Sequence, residues 1–219
     1  MSFGIERIIE DIFLKEDNRV KKLVSKYLYL LFKWHEISNI VSSSDIGYVI
    51  RREIYDSYQL NKYLTGNSYT DIGSGGGIPG IIISILNPDK KVILIDRKST
   101  SIDFLTLAKT ELGLNNVDVI HRDVIKSELS LITDTVILKN FSNKTISKMN
   151  FEKKFTYLMN LIKKNKDVSK AYMLTGSPVL ELSKECLRDF NVNTHVIISP
   201  FFDTNRIVAE AKFENTINS

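Results

Sequence analysis

Cysteine is nearly missing from this chain: Cys186 is the single one among 219 residues. An internal disulfide and any cysteine-based metal cluster are therefore excluded, and the composition suits a reducing cytoplasm. Histidine is almost as scarce, and His35, His121 and His195 are too scattered to give a metal-ligand spacing. No run of about 18 apolar residues occurs, so no membrane span is expected. Met1 to Glu10 alternate charge with apolar positions and lack a signal-peptide core. Neither sign of charge dominates: a net +4 is mildly basic, which permits a nucleic-acid partner without demonstrating one. There is no internal repeat and no low-complexity linker. What is present is an ordinary core composition, 43% hydrophobic and 26% charged, at a length that fits one large domain or one domain with an extension.

Glycine, by contrast, is concentrated. Asp71-Ile72-Gly73-Ser74-Gly75-Gly76-Gly77-Ile78-Pro79-Gly80 follows a β-like run, Ser68 to Ile72, and precedes an apolar helical run, Pro79 to Leu86. Glycine accepts positive φ and has no Cβ, so the backbone can turn sharply and a ligand can approach it closely. Pro79 suits the first turn of a helix, where its missing N–H is not needed. A strand, glycine loop and helix in this order can wrap a dinucleotide or S-adenosylmethionine. Gly75, Gly77 and Gly80 match the dinucleotide spacing. A dinucleotide, however, places its pyrophosphate at the helix N-terminus, and the Asp71 carboxylate would oppose that anion. S-adenosylmethionine carries a cationic ammonium and sulfonium, which an acid there would favour. The methyl donor is the preferred reading; a dinucleotide site and a purely structural turn are the alternatives.

Asp96 closes a second strand-like run, Lys91 to Ile95, at about the 20-residue separation that joins a cofactor loop to a ribose-binding acid. Its carboxylate can accept from both hydroxyls of a cis-diol; an acid after a strand also serves as a turn or cap residue. Before the glycines the pattern is helical, with apolar spacing at Ile5–Phe13 and Val20–Phe32 and a third candidate at Arg51–Tyr63. After them strands are predicted at 68–72, 91–96, 117–121, 135–139 and 170–175, alternating with helices at 79–87, 100–112, 151–164 and 178–189. Two last runs, 193–198 and 206–213, suit an antiparallel pair. Residues 140–150 read as a polar loop at the carboxyl edge of the sheet, where ligands sit in open α/β folds. The expected class is α/β: a mainly parallel seven-stranded sheet with a closing antiparallel hairpin, covered on both faces.

From about Leu31 to Phe213 the chain resembles the bacterial small-subunit (16S) ribosomal RNA guanine-N7 methyltransferases, also called the glucose-inhibited division protein B family. The loop Asp71 to Gly80 is similar to that family's D-[IV]-G-[ST]-G-x-G-x-P-G. Leu94-Ile95-Asp96 with Phe104-Leu105 resembles its L-[LI]-D…F-L segment, Trp34…Asn39-Ile40-Val41 its W-N-x-x-[IF]-N-L-[TV] entry, and Arg52-Glu53-Ile54-Tyr55-Asp56-Ser57 its R-H-x-x-D-S. There are departures. Glu53 stands where His is usual, Thr100 and Ser101 where Lys-Arg is usual, and Lys139 in place of an arginine. Thr175 replaces the lysine of L-K-G, and Ile207 replaces a histidine.

The resemblance implies a Rossmann-like class I methyltransferase fold, with a helical N-terminal extension over residues 1–65 packed on a methyltransferase domain over 66–219. It implies S-adenosylmethionine as cofactor and methyl transfer to a guanine N7 in small-subunit ribosomal RNA or the 30S particle, by a cytoplasmic and monomeric protein. The alternatives are a ribosome-associated factor that binds the cofactor without turnover, and a methyltransferase of another substrate. No metal is implied. Cofactor contact is assigned to Asp71, Gly73, Ser74, Gly75, Gly77, Ile78, Asp96 and Asp123, with Asp71 toward the methionine end and Asp96 on the ribose. Asp123 lies near the adenine or serves as a cap. Lys139 is the catalytic candidate, a cation beside the methyl or target base, or else a solvated strand-end lysine. RNA contact is assigned to Arg51, Arg52, Lys98, Lys144, Lys148 and Arg206.

Overall fold

Seven strands form one sheet in the computed structural model, which describes residues 3–41, 43–126, 131–141 and 143–213. The strands are β1 (Ser68–Ile72), β2 (Lys91–Asp96), β3 (Val117–His121), β4 (Thr135–Lys139), β5 (Lys170–Thr175), β6 (Asn193–Ile197) and β7 (Arg206–Lys212), in the order β3-β2-β1-β4-β5-β7-β6. The first five are parallel; β7 runs antiparallel between β5 and β6. Every residue of β2 after Lys91 is buried, as expected of a central parallel strand covered on both faces. β6, at the edge, is largely exposed.

Side chains alternate across the sheet, and two apolar clusters follow. Val92, Leu94, Ile137 and Tyr172 face one, whose other half comes from α1 (Phe3–Ile12), α2 (Asn18–Ser38), α3 (Ile46–Val49), α4 (Tyr55–Asn61), α5 (Gly80–Leu86) and α6 (Ser99–Leu112). Ile93, Ile95, Val136 and Leu138 face the second, with α7 (Phe151–Lys163) and α8 (Lys184–Asp189). The N-terminal helices thus share a core with the sheet: Val24, Leu28 and Leu31 of α2 join Ile81 of α5 and Phe104 of α6. Asp17 caps α2, accepting from Val20 N–H at 2.8 Å, and Asn39 ends it in the left-handed conformation, φ 46°.

Three expectations change. The helix predicted at 51–63 begins at Ile46, and its middle, Ile50–Ile54, is a π turn in which Tyr55 N–H donates to the Ile50 carbonyl. The wider turn brings Ile50, Arg52, Glu53, Ile54, Asp56 and Ser57 all into the interior, a pattern no regular helical period announces. The helix predicted at 178–189 is two pieces. A 3₁₀ turn, Ser177–Glu181, carries Pro178 in its first turn; Leu182 is extended, and Ser183 caps α8 by accepting from Cys186 N–H at 3.2 Å. Third, the 140–150 loop contains a 3₁₀ turn, Ile146–Lys148. Strand boundaries fall within one residue of the predicted ones.

Strand order reverses between β1 and β4, which makes the crevice beyond their carboxyl ends the natural ligand position.

Candidate functional site

The chain leaves β1 through Gly73 (φ 77°), Gly75 (φ 53°) and Gly77 (φ 86°), backbone that L side chains rarely adopt. The turn is tied to β2: the Gly73 and Ser74 N–H groups donate to the Ile95 carbonyl at 2.8 and 3.1 Å. Gly75 N–H donates to Asp96 Oδ2 at 2.8 Å, and Lys98 N–H donates to Asp96 Oδ1, also at 2.8 Å. Each carboxylate oxygen keeps a further acceptor site. A Cβ on Gly73 would strike the Phe141 ring at 2.5 Å, whereas one on Gly75 would meet nothing closer than the Gly73 carbonyl at 3.9 Å. The open face of Gly75 borders a cleft of about 240 Å³, walled by the ends of β1 and β2, the turn after β3, the Asn140–Phe141 step after β4, and Ser38 to Ile40 at the end of α2.

Of the residues expected at the cofactor, Gly73, Gly75, Asp96 and Asp123 line this cleft. Asp71 does not, which corrects its assignment to the methionine end. It is 1% exposed, beneath the loop, and accepts from Gly80 N–H at 3.0 Å, so it caps α5. Burial pushes its carboxyl up to about 7, against the lowering effect of the Gly80 and Ser74 hydrogen bonds. Ser74 is equally buried, its hydroxyl donating to the Asp71 carbonyl at 2.9 Å. Gly77 faces Ile81 and Leu105, and Ile78 packs on the same apolar cluster. These four shape the loop from below.

Asn39, Ile40, Arg122, Asn140 and Phe141 line the cleft without having been assigned to it, as do Thr100 and Ser101, noted above only as departures. Asn39 and Asn140 both have positive φ (46° and 53°). Asparagine after a helical run or a strand is the one local signal that marked them. Buried His35 holds the Asn39–Val41 segment: its Nδ1 accepts from Val41 N–H at 3.3 Å, which leaves Nε2–H to donate to Ser44 Oγ at 3.1 Å.

The edge beyond β4, β5 and β7 is built differently. Lys139 does not line the cleft. Its ammonium pairs with Glu53 of the π turn, the two side chains 10% and 8% exposed. Burial and the Arg206 guanidinium draw Lys139 below the ordinary lysine range, while the Glu53 carboxylate favours its charged form. The solvated strand-end reading of Lys139 is therefore overturned, and so is direct projection into the cleft. Arg52 and Arg206, expected on RNA, are also turned inward. Arg52 donates to the Thr204 carbonyl at 2.8 Å, pairs with Asp56 at 3.7 Å and lies over the Phe202 ring. Arg206 Nε donates to Asp56 Oδ2 at 3.3 Å. Asp56 is 1% exposed; burial raises its carboxyl to about 6 despite both guanidinium groups. Arg51, Lys98, Lys144 and Lys148 remain exposed. Four departures from the family pattern meet in twos: Glu53 faces Lys139, and Thr175 is the register partner of Ile207.

Residues 20–175 match the family described as rRNA small subunit methyltransferase G. A protein of that name from Hydrogenovibrio crunogenus is 36% identical over 129 residues, 59% of this chain and 59% of its own length. Another from Psychromonas ingrahamii is 30% identical over 140 residues, 64% of this chain and 68% of its own. The match thus spans under two thirds of the first relative and barely more of the second. Among solved structures, the human methyltransferase 10 domain containing protein superposes with a TM-score of 0.55 at 15% identity, over 89% of this chain and 98% of that one, and so shares the fold. With a family match that runs from the second helix to the end of β5, on a class I methyltransferase sheet, the chain belongs to the rRNA small subunit methyltransferase G family.

Proposed function

We propose that the chain binds S-adenosylmethionine in the cleft beyond β1 and β2 and methylates N7 of a guanine in small-subunit ribosomal RNA, acting on the ribosomal particle in the cytoplasm. The observation that carries this reading is the Gly75–Asp96 constellation: an unobstructed backbone surface beside a carboxylate with acceptor capacity left for a ribose diol. Asp123 and Arg122, beyond β3, line the same cleft, and we assign them to the base of the cofactor.

The bound donor supplies an electrophilic methyl on a cationic sulfur. Guanine N7 carries a lone pair and no proton, so it would take the methyl that a bound donor supplies without the help of a general base, and the chain's own residues need hold none. The protein's work is then alignment, worth up to about 7–11 kcal/mol when reacting atoms are well oriented. Asp96 and the glycine turn fix one reactant. Lys139 acts from behind the cleft wall as a positioning residue: with Glu53 it pins the end of β4, from which Asn140 and Phe141 enter the cleft. Arg51, Lys98, Lys144 and Lys148 supply phosphate contacts, which give affinity and not sequence choice.

The test is transfer of labelled methyl from S-adenosylmethionine to 30S subunits lacking the modification, followed by nucleoside mass spectrometry. Label in 7-methylguanosine supports the reading. Cofactor binding without transfer identifies a binding factor, and transfer to free small molecules identifies another substrate.

A further inference from the structure

The turn from β6 to β7 carries Ile198, Pro200, Phe201 and Phe202. β7 starts beside the carboxyl end of β5, with Ile207 in register with Thr175. The turn therefore emerges on the same edge of the sheet as the cofactor cleft, at its far end. It is firmly held. Arg52 donates to the Thr204 carbonyl at 2.8 Å and to the Thr204 hydroxyl at 3.1 Å, and its guanidinium lies over the Phe202 ring, 5.2 Å from the centroid. The Tyr55 hydroxyl donates to the Ile198 carbonyl at 3.0 Å, and the Tyr55 ring meets Phe201 edge to face. Tyr48 of α3 meets Phe202 in the same way, with centroids 5.6 Å apart. Asp45, Tyr48, Arg51, Phe201 and Phe202 line an open recess of about 380 Å³.

We propose that this recess seats an unpaired base of the substrate RNA, a neighbour of the methylated one, and so fixes how the RNA lies along the carboxyl edge. This rests on the reading of the chain as a methyltransferase of ribosomal RNA. The recess lies too far from the cofactor to hold the reacting base: β6 is four strands from β1, roughly 20 Å at a spacing of about 4.8 Å. Proteins hold unpaired RNA bases by stacking them on aromatic rings, reading an edge and pairing the backbone with a cation. All three elements are present. Tyr48, 37% exposed, is the most open of the rings. Arg51 is exposed and, among the described residues, forms no ion pair, so it is available to the phosphate of the same nucleotide. Asp45 caps α3 by accepting from Tyr48 N–H at Oδ1, 3.0 Å, and Oδ2 is left to accept from an N–H on the base edge.

The carboxylate also says what the recess does not fit. A row of duplex phosphates would meet Asp45 as a like charge, whereas a single stacked base offers it N–H donors. Arg52, turned inward, reaches the RNA only through the turn it braces, and is a positioning residue for Phe202 and Thr204.

Tyr48 and Arg51 border this recess and not the cofactor cleft. Tyr48→Leu, Tyr48→Phe and Arg51→Met are compared with the parent in methyl transfer to 30S subunits, S-adenosylmethionine calorimetry and thermal melting. Tyr48→Leu is expected to raise KM for the subunit at least fivefold, and Arg51→Met severalfold, with kcat little changed. Tyr48→Phe keeps the ring and should restore the parent KM. All three should bind S-adenosylmethionine within twofold of the parent. Ultraviolet irradiation of the parent protein on 30S subunits, followed by peptide mass spectrometry, should find nucleotide adducts on the segment holding Tyr48 or on that holding Phe201 and Phe202. This readout needs neither a variant nor turnover. Parent-like KM in Tyr48→Leu and Arg51→Met, adducts confined to other segments, or crosslinks from these segments to a ribosomal protein in place of RNA overturn the assignment and leave the function intact. Adducts on these segments in a parent that binds the cofactor and transfers no methyl overturn the catalytic reading and keep the RNA seat.

Discussion

The two halves of the carboxyl edge hold their charges in opposite ways. Beyond β1 and β2, the carboxylates lean on backbone: Asp71 on Gly80 N–H, and Asp96 on the N–H groups of Gly75 and Lys98. Beyond β4, β5 and β7, charges lean on one another: Glu53 on Lys139, and Asp56 on Arg52 and Arg206. Backbone donors are present whatever the side chains, so the first half is fixed by its own loop. The second is fixed only while every partner is in place, because a buried ion that loses its counter-ion keeps its desolvation cost.

The largest effect should therefore come from the second half. Lys139→Met, which strands Glu53, is expected to cost about 3–5 kcal/mol in urea unfolding, and to cut methyl transfer far below the parent while cofactor affinity changes little. The double variant Glu53→Gln/Lys139→Met should recover most of the stability and not the transfer. A single variant that costs under about 1 kcal/mol, as a surface pair would, breaks the contrast between the two edges.

Asp71 tests the first half through pH. Its folded pKa, about 7, lies above the ordinary carboxyl value of 3.8. The stability it carries is then complete below the unfolded pKa and is lost as pH rises through about 7. Asp71→Asn keeps an acceptor for Gly80 N–H and removes the ionisation. Between pH 5 and 8 the parent should lose stability relative to this variant by an amount on the order of 3 kcal/mol, read from melting curves. Parallel pH profiles would mean that Asp71 is solvated.

Asp96→Ala should weaken S-adenosylmethionine by about 1–3 kcal/mol in calorimetry, the range for hydrogen bonds to charged groups, with a smaller effect on folding. The smallest effects belong to the exposed cations. Lys148→Ala should leave stability within about 0.5 kcal/mol and reduce the salt slope of RNA binding by about 1. An unchanged slope removes Lys148 from the RNA surface.

The same contrast explains what could be read in advance. The glycine loop, Asp96 and the strand positions follow from neighbours a few residues apart, and local spacing carries them. Arg52 and Arg206 read as RNA contacts because a cation in a sequence does not name its counter-ion: Arg206 finds Asp56 across 150 positions, and Arg52 finds Thr204 across 152. Asp71 was placed at the right turn and given the wrong direction, since a strand end offers both the cleft and the helix beneath it. The π turn at Ile50–Ile54 leaves no period of its own, so the burial of Glu53 was hidden. Asn140 was passed over because its φ exists only once β4 ends where it does.

One contact couples early chain to late chain. The Tyr27 hydroxyl of α2 donates to the Gly76 carbonyl, and Leu31 and Val41 close over the same glycine. During synthesis α2 emerges with Val24, Leu28 and Leu31 bare, and its covering surface on α5 and α6 is made only some 50 to 80 residues later, at roughly 5–20 residues per second. Helix α2 therefore docks after the glycine turn exists, and a ligand that steadies the turn pulls that docking forward by mass action. In a nascent chain, a ligand bound in the cleft would thus act as a folding partner for the helix whose last residue, Ser38, borders it.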